Sequence, residues 1–350
     1  MKSQFELYMS ISLSREGNGL MIVLAFVIIL IGVVITTRGT EPAEYLSLSV
    51  PFSTHGLQIP RLGVGTAGLG TNGDKVTYAA LSHGVRLIDT AQAPEWYSEQ
   101  DVGNGLRNFQ RDNSGLNPLS IIIVTKIHPR SFEAVKMEQS IFNSKLAIHG
   151  DTNAVLDIVL LHSPSCWPGH CSEEEMSVSW QVAWRNLEDS LASGHLRAIG
   201  VSNFDMILIK ELHHISVAKV SVIQNWMDPF HQDIAVRKFA TDNKIVYMAY
   251  SSFGTQWQGK FPDDNPVFSN VVLNRIAYKH DNTTVSAVVL SWLLQSNVIA
   301  IPRASRLDHI KQNAAPLEDG LALSALKVFL DAGDMREILL LDGSLGTPWE

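Results

Sequence analysis

Residues 187–204, LEDSLASGHLRAIGVSNF, decide the fold. Leu187 and Leu191 end an apolar stripe that runs through Met176, Trp180, Ala183 and Trp184 at three- and four-residue spacings, which predicts a helix over Glu174–Ala192. Gly194 follows as its C-cap. Arg197–Val201 is then a short apolar run without polar alternation, as in a parallel strand buried on both faces. Polar Ser202 and Asn203 come just past it. Helix, glycine stop, apolar strand and polar strand end make one α/β unit.

Working outward, the same unit recurs. Strands are expected near Leu62–Thr66, Arg86–Thr90, Ile121–Lys126, Asp157–His162, Arg197–Val201, Val222–Trp226, Ile245–Tyr250 and Val298–Pro302, with Ser286–Leu294 as a second strong apolar helix. Eight such units favour a TIM (β/α)8 barrel over a doubly wound sheet. Gly63-Val64-Gly65-Thr66-Ala67-Gly68 has the spacing of a dinucleotide fingerprint, but its first two glycines lie inside a strand rather than between strand and helix, so it is rejected. The barrel is placed at residues 51–330, with 331–350 as a C-terminal tail, and in the stretch from Pro316 to Glu350 the Leu-rich Leu321–Leu330 segment can form a helix.

Composition narrows the function. The chain has 350 residues, 45% hydrophobic and 18% charged, which excludes bulk disorder. Lys and Arg total 27 against 35 Asp and Glu, a net charge of −8, which argues against a general nucleic-acid binder. Two cysteines exclude a disulfide scaffold and a Cys-rich zinc module.

The N-terminus carries a different signal. After a short tail (1–19), the 21 residues between Glu16 and Arg38 hold no charge, and Leu20–Ile35 reads LMIVLAFVIILIGVVI. As a helix, 21 residues span about 32 Å, the thickness of a hydrocarbon core. A transmembrane signal-anchor at 20–37 with a linker at 38–50 is expected; a cleaved signal peptide and a buried soluble helix are the alternatives. Lys2 and Arg15 against Arg38, Glu41 and Glu44 place the main domain across the membrane by a margin of one charge, so a single-pass endomembrane protein with a lumenal domain is favoured. The sequon Asn282-Thr283-Thr284 is compatible with that.

In a barrel, the C-terminal strand ends face the site. Asp89, Lys126, His162, Ser202, Asn203, Gln224, Tyr250, Ser251 and Arg303 occupy such positions, and Tyr97 lies in the loop after the second strand. Singly, each has a structural reading as a cap, a surface lysine or a core histidine. Jointly they do not, because a lysine closing an apolar strand must find an anion, and Asp89 on the neighbouring strand is its natural partner.

This pattern resembles the aldo-keto reductase family. The stretches that carry it are GLQIPRLGVGT, GVRLIDTAQ, YSEQDVG, VTK, DIVLLHSP, LEDSLASGHLRAIGVSNF, QNW, AYSSFG and IPRASRLDHIKQN, in the family's order from about Phe52 to Ala315. The resemblance implies hydride transfer between a nicotinamide dinucleotide and a small carbonyl substrate. Tyr97 would be the proton donor, Lys126 the cation that lowers its pKa, Asp89 the anchor of that lysine, and His162 the group that positions the carbonyl. Ser202, Asn203 and Gln224 would hold the carboxamide and Tyr250 would stack on its ring. Thr66, Ser251, Phe253 and Thr255 would line the cofactor, Arg303 with Arg306 and His309 would meet a 2′-phosphate, and Asn313 would lie near the adenine. NADP is favoured over NAD because a basic residue persists at Arg303.

Three departures stand out. Pro94 occupies the family's tyrosine position counted from Asp89, and Trp96 occupies it counted from SEQDVG. Ala67 replaces a frequent tryptophan and widens the pocket. Ala304 and His309 replace a serine and an arginine. The loop Cys166-Trp167-Pro168-Gly169-His170-Cys171 overhangs the expected site, with Trp167 a candidate for its lining. No metal is expected there, since three ligands fall short of a structural zinc set; a disulfide in a lumenal domain and plain loop residues remain open. Beside an NADPH-dependent reductase stand a non-catalytic NADP-binding regulatory module and a Schiff-base aldolase using Lys126.

Overall fold

The computed structural model describes residues 49–51, 58–315 and 328–348. An antiparallel hairpin pairs Ser49–Pro51 with Gln58–Pro60. Eight parallel strands follow: β1 (Val64–Gly65), β2 (Leu87–Asp89), β3 (Ile122–Ile127), β4 (Leu156–Leu161), β5 (Leu196–Ser202), β6 (Val222–Trp226), β7 (Val246–Tyr250) and β8 (Ile299–Ala300). Each pairs with the next in sequence. Parallel bridges from Leu62 to Ala300 and from Gly65 to Arg303 join the last strand to the first, so the sheet closes as a barrel. At that seam Gly63 N and Gly65 N donate to the Ala300 and Pro302 carbonyls at 2.8 and 3.1 Å, and both glycines of the rejected fingerprint lie close to neighbouring backbone. A Cβ on Gly63 would lie 2.7 Å from the Leu87 carbonyl oxygen, and one on Gly65 would lie 3.0 Å from that of Ile301.

The expected strands appear within two residues at each end. Their first inward residues, Leu87, Ile122, Val222, Val246 and Ile299, pack with Ile59 of the hairpin, which plugs the N-terminal end. Each such side chain, fully buried, contributes about 1.5–3 kcal/mol relative to exposure. The opposite, C-terminal rim carries the polar residues.

Helices α1 (Gly73–Ser82), α2 (Glu99–Asp112), α3 (Ala134–His149), α4 (Trp180–Ala192), α5 (Met206–Ile215), α6 (Ile234–Asp242), α7 (Val271–Lys279) and α8 (Val285–Gln295) separate the strands. The single helix expected over Glu174–Ala192 is two pieces, Glu173–Met176 and α4. Serines divide it: Ser177 Oγ donates to the Glu174 carbonyl at 2.6 Å, and Ser179 caps α4 by accepting from Val182 N. Ser193 is the C-cap of α4, and Gly194, with φ 75, follows it in the left-handed region. Two further helices are α9 (Leu307–Ala314) and α10 (Ala332–Leu339). Asp331 and Asp334 of the α10 start accept from Lys279 on α7, and Asp334 also meets His280 at 2.7 Å. Among the described residues no helix is long and apolar enough to cross a membrane. The span expected at 20–37 and most of Leu321–Leu330 lie outside the described residues.

Candidate active site

The C-terminal rim brings Asp89, Lys126, His162 and Tyr97 together. Lys126, next to last in β3, is fully buried, and its Nζ donates to both Asp89 carboxylate oxygens at 2.8 Å and to the Thr90 carbonyl at 2.9 Å. Gln224 Nε2 adds a bond of 2.7 Å to Asp89. The Tyr97 ring lies over the ammonium, with 5.0 Å from Nζ to the ring centroid, and meets the His162 ring edge-on at 5.8 Å.

A tight turn resolves the displaced tyrosine. Both Trp96 N and Tyr97 N donate to the Ala93 carbonyl at 2.8 Å, with Pro94 pre-set for the turn. The extra residues are thereby absorbed, Tyr97 swings inward and Trp96, 38% exposed, points out. Ser98 then caps α2 by accepting from Asp101 N.

The electrostatics correct one expectation. Lys126 does not acidify Tyr97 in this state. Burial, the Asp89 charge and Tyr250 push the phenol well above its ordinary value of 10, because the ammonium sits against the ring face and is shared among Asp89 and Thr90. Burial also lowers the lysine pKa, against the raising pull of Asp89. His162 is held well below 6.5 by burial, then Lys126 and His128. It is therefore neutral and carries one N–H. Its Nδ1 is buried without a partner.

The other expected residues sit nearby on the rim. Asn203, at φ 62, donates to the His162 carbonyl at 2.8 Å and accepts from Tyr250 Oη at 2.5 Å. Ser251 also has positive φ, 54. Ser202 Oγ accepts from Asn203 Nδ2 at 3.3 Å, and Gln224 also donates to Met248 Sδ at 3.1 Å. Thr66 Oγ1 donates to the Asp89 carbonyl at 2.8 Å. Phe253 packs on Phe268 at 6.0 Å, and Thr255 starts a short 3-10 turn over Thr255–Gly259.

Exposed Arg303 reaches back over the rim, with Nη1 3.4 and 3.3 Å from the Ala67 and Gly68 carbonyls. These long contacts leave its fork of donors open to an anion. Arg306 is not open in that way: it pairs with Asp308 at 2.8 Å. His309 and Asn313 lie on α9, with His309 exposed and Asn313 half-buried. A cleft of about 320 Å³ beside Tyr97 is lined by Thr66, Gly68, Leu69, Gly70 and the turn from Pro94 to Ser98. The donor set fits an extended dinucleotide: a polar rim, a buried Ser252 Oγ lacking a partner, and a guanidinium weakly held at the far edge.

Two features were missed in the sequence. Glu99, in the quoted SEQDVG stretch, turns inward from the first turn of α2. It accepts from Thr125 Oγ1 and from Ser144 Oγ at 2.8 Å, behind Lys126. Burial raises its pKa. His128, two residues past Lys126, is fully buried, accepts from Arg130 Nε at 3.0 Å, and is driven down to about 4 by burial and Arg130. Cys166 and Cys171 form a disulfide. The histidine that shares their corner is His128, within 4.8 Å, whereas His170 stacks on Trp96 at 4.9 Å.

Comparisons with known proteins identify the family. The Aldo/keto reductase family profile matches residues 61–324. The NADPH-dependent D-xylose reductase of Meyerozyma guilliermondii is 27% identical over 322 residues, 84% of this chain and 95% of that protein. The glyoxal reductase of Bacillus subtilis is 30% identical over 267 residues, 74% and 84% of the two chains. An aldo-keto reductase of Bombyx mori, solved in complex with NADP, superposes with a TM-score of 0.72 at 21% identity over 84% of this chain and 92% of that one. This chain belongs to the aldo-keto reductase family.

Proposed function

We propose that the protein is an NADP(H)-dependent reductase that converts an aldehyde or ketone to an alcohol, with Tyr97 as proton donor. The observation that carries this reading is the fully buried Lys126–Asp89 pair lying under the Tyr97 ring, 5.8 Å from the neutral His162 ring. When bound, the cofactor supplies the hydride.

The chain's own residues supply the rest. A carbonyl that gains hydride becomes an alkoxide-like oxygen and needs a proton. Tyr97 stays protonated at neutral pH and can still deliver it, because an alcohol, like water at about 15.7, is a far weaker acid than a phenol at about 10. Lys126 offsets the phenolate left behind, and Asp89 holds the lysine charged against burial. His162, neutral, offers its N–H to the carbonyl oxygen without adding a competing charge. Asn203 locks Tyr250 and the His162 backbone together, so the stacking and positioning groups share one frame. Ser202, Asn203, Gln224, Tyr250, Ser251, Phe253, Thr255 and Thr66 would hold the cofactor, Arg303 its 2′-phosphate. The reductases of Meyerozyma guilliermondii and Candida tenuis, named for NADPH and NAD(P)H use, support that choice. A Schiff-base role suits Lys126 poorly, since three hydrogen bonds hold it as an ammonium.

Tyr97→Phe tests the assignment: turnover of a short aldehyde with NADPH should fall by 10²-fold or more, on the scale of general acid catalysis (about 10²–10⁴), with NADPH affinity unchanged. Retained turnover would move the acid elsewhere, whereas tight NADPH binding with no turnover in the wild-type chain would favour the non-catalytic binding module. A membrane-anchored, lumen-facing form is part of the same proposal and draws on the uncharged run between Glu16 and Arg38. Its test is release into alkaline carbonate, which an anchored chain resists.

A further inference from the structure

The loop after β4 holds a device that the reductase reading leaves unused. Cys166 and Cys171 are joined, with Cα atoms 6.1 Å apart, and the bond brackets Trp167. The Trp167 indole is half-buried and meets three rings of the rim: His162 at 5.0 Å, His128 at 5.4 Å and Trp96 at 5.5 Å. The His170 ring of the same loop stacks on Trp96 at 4.9 Å and lies 4.0 Å from Glu95. Among the described residues, the backbone bond inside this loop is His170 N to the Trp167 carbonyl at 3.1 Å. Gly169, at φ 80, has nothing within 4 Å of where a Cβ would stand, so the crown of the loop is open.

We propose that Trp167 is a movable wall of the substrate pocket and that the Cys166–Cys171 pair sets its position, so that the redox state of the pair selects between small and bulky carbonyl substrates. The proposal rests on the reductase reading of the same site. The constraint is direct, because one peptide bond separates Cys166 from Trp167. The three contacted rings sit on hydrogen-bonded backbone: His162 directly follows β4 and its N donates to the Ile127 carbonyl at 2.9 Å, His128 follows β3, and Trp96 lies in the turn closed on the Ala93 carbonyl. Loop freedom therefore becomes movement of the indole relative to His162, the group that meets the carbonyl. Both cysteines are half-exposed, so a dithiol can reach them. In that exchange the dithiol gives two electrons and two protons, the S–S bond breaks to two cysteine thiols, and the reductant leaves as its own disulfide.

The test uses the full chain, fully oxidised or reduced with dithiothreitol, with thiols counted. A chelator is present, because the freed sulfurs lie near the His128 ring. kcat/KM is measured with NADPH for acetaldehyde and for 2-naphthaldehyde. Reduction should raise the naphthaldehyde-to-acetaldehyde ratio about tenfold, through KM rather than kcat. Cys166→Ser/Cys171→Ser should match the reduced protein in either buffer, and Trp167→Ala should show a high ratio that no longer responds to reduction. A ratio that stays within twofold between the two redox forms overturns the proposal. Iodide quenching of tryptophan emission gives an independent readout. Quenching should rise on reduction and should not rise in Trp167→Phe; no rise in the wild-type chain also overturns it. If neither form reduces any aldehyde, the reductase reading fails by itself, while quenching still decides whether the wall moves.

Discussion

Lys126→Met should unfold this protein more readily than any surface change, and the size of the effect follows from the geometry. The ammonium is 1% exposed and lies 2.8 Å from both Asp89 oxygens. At an effective dielectric of about 20, unit charges at that distance attract by about 6 kcal/mol. Desolvating two such ions costs several kcal/mol each, so the intact pair is close to neutral in net stability. The variant is not neutral. It leaves the Asp89 carboxylate, 3% exposed, with Gln224 Nε2 as its remaining side-chain donor, and it strips the Thr90 carbonyl of its lysine partner. Breaking a buried pair in this way costs about 3–5 kcal/mol. At about 2 °C per kcal/mol for a domain of this size, Tm should fall by about 6–10 °C. Asp89→Leu/Lys126→Met removes both charges and should recover most of that loss, yet stay inactive. The assays are thermal unfolding by circular dichroism and NADPH oxidation with an aldehyde. A Lys126→Met chain as stable as wild type, or a double variant no better than the single, would refute a buried, mutually dependent pair.

Other expectations are narrower. Arg303→Ala should weaken NADPH binding at least tenfold while changing NADH little, read by nucleotide fluorescence titration; equal losses would remove the 2′-phosphate assignment. His128 titrates at about 4 when folded against an ordinary 6.5. The folded state thus binds fewer protons between those values, so stability is full above about pH 6.5 and declines as pH falls toward 4. In urea unfolding across that window, His128→Gln should show a flatter decline than wild type, and an identical slope would count against a neutral buried ring. Ser179→Ala should cost about 1 kcal/mol through loss of the α4 cap, and no loss would mean that Ser177 and Ser179 do not divide the helix.

The barrel was legible because its units repeat. Apolar strands buried on both faces and glycine-stopped helices leave a pattern that needs no long-range knowledge, and Val222–Trp226 matches residue for residue. The division at Ser177–Ser179 was not legible from apolar spacing, because side-chain competition for backbone hydrogen bonds works against that pattern. The pairing of Lys126 with Asp89 was legible for a similar reason: a charge at the end of an apolar strand must be answered, and adjacent parallel strands put the answer next door.

Other features needed the chain folded. The spacing in DTAQAPEWYSEQDVG left Trp96 and Tyr97 competing for one place, and only the turn closed on the Ala93 carbonyl sent the tyrosine inward. Sequence chemistry placed a cation beside a phenol and so expected a lowered pKa. Burial and the Asp89 charge reversed the direction, since desolvation depends on what surrounds a group in space. Glu99 and His128 looked ordinary in the chain and became neighbours of the site, His128 fully buried and Glu99 half-buried, once α2 and β3 packed. The sequence by itself determined which residues could be strand, helix and rim, because those choices rest on local periodicity. The tertiary structure decided which side chain faces which, and with what charge, because distance and solvent exclusion are properties of the packed chain alone.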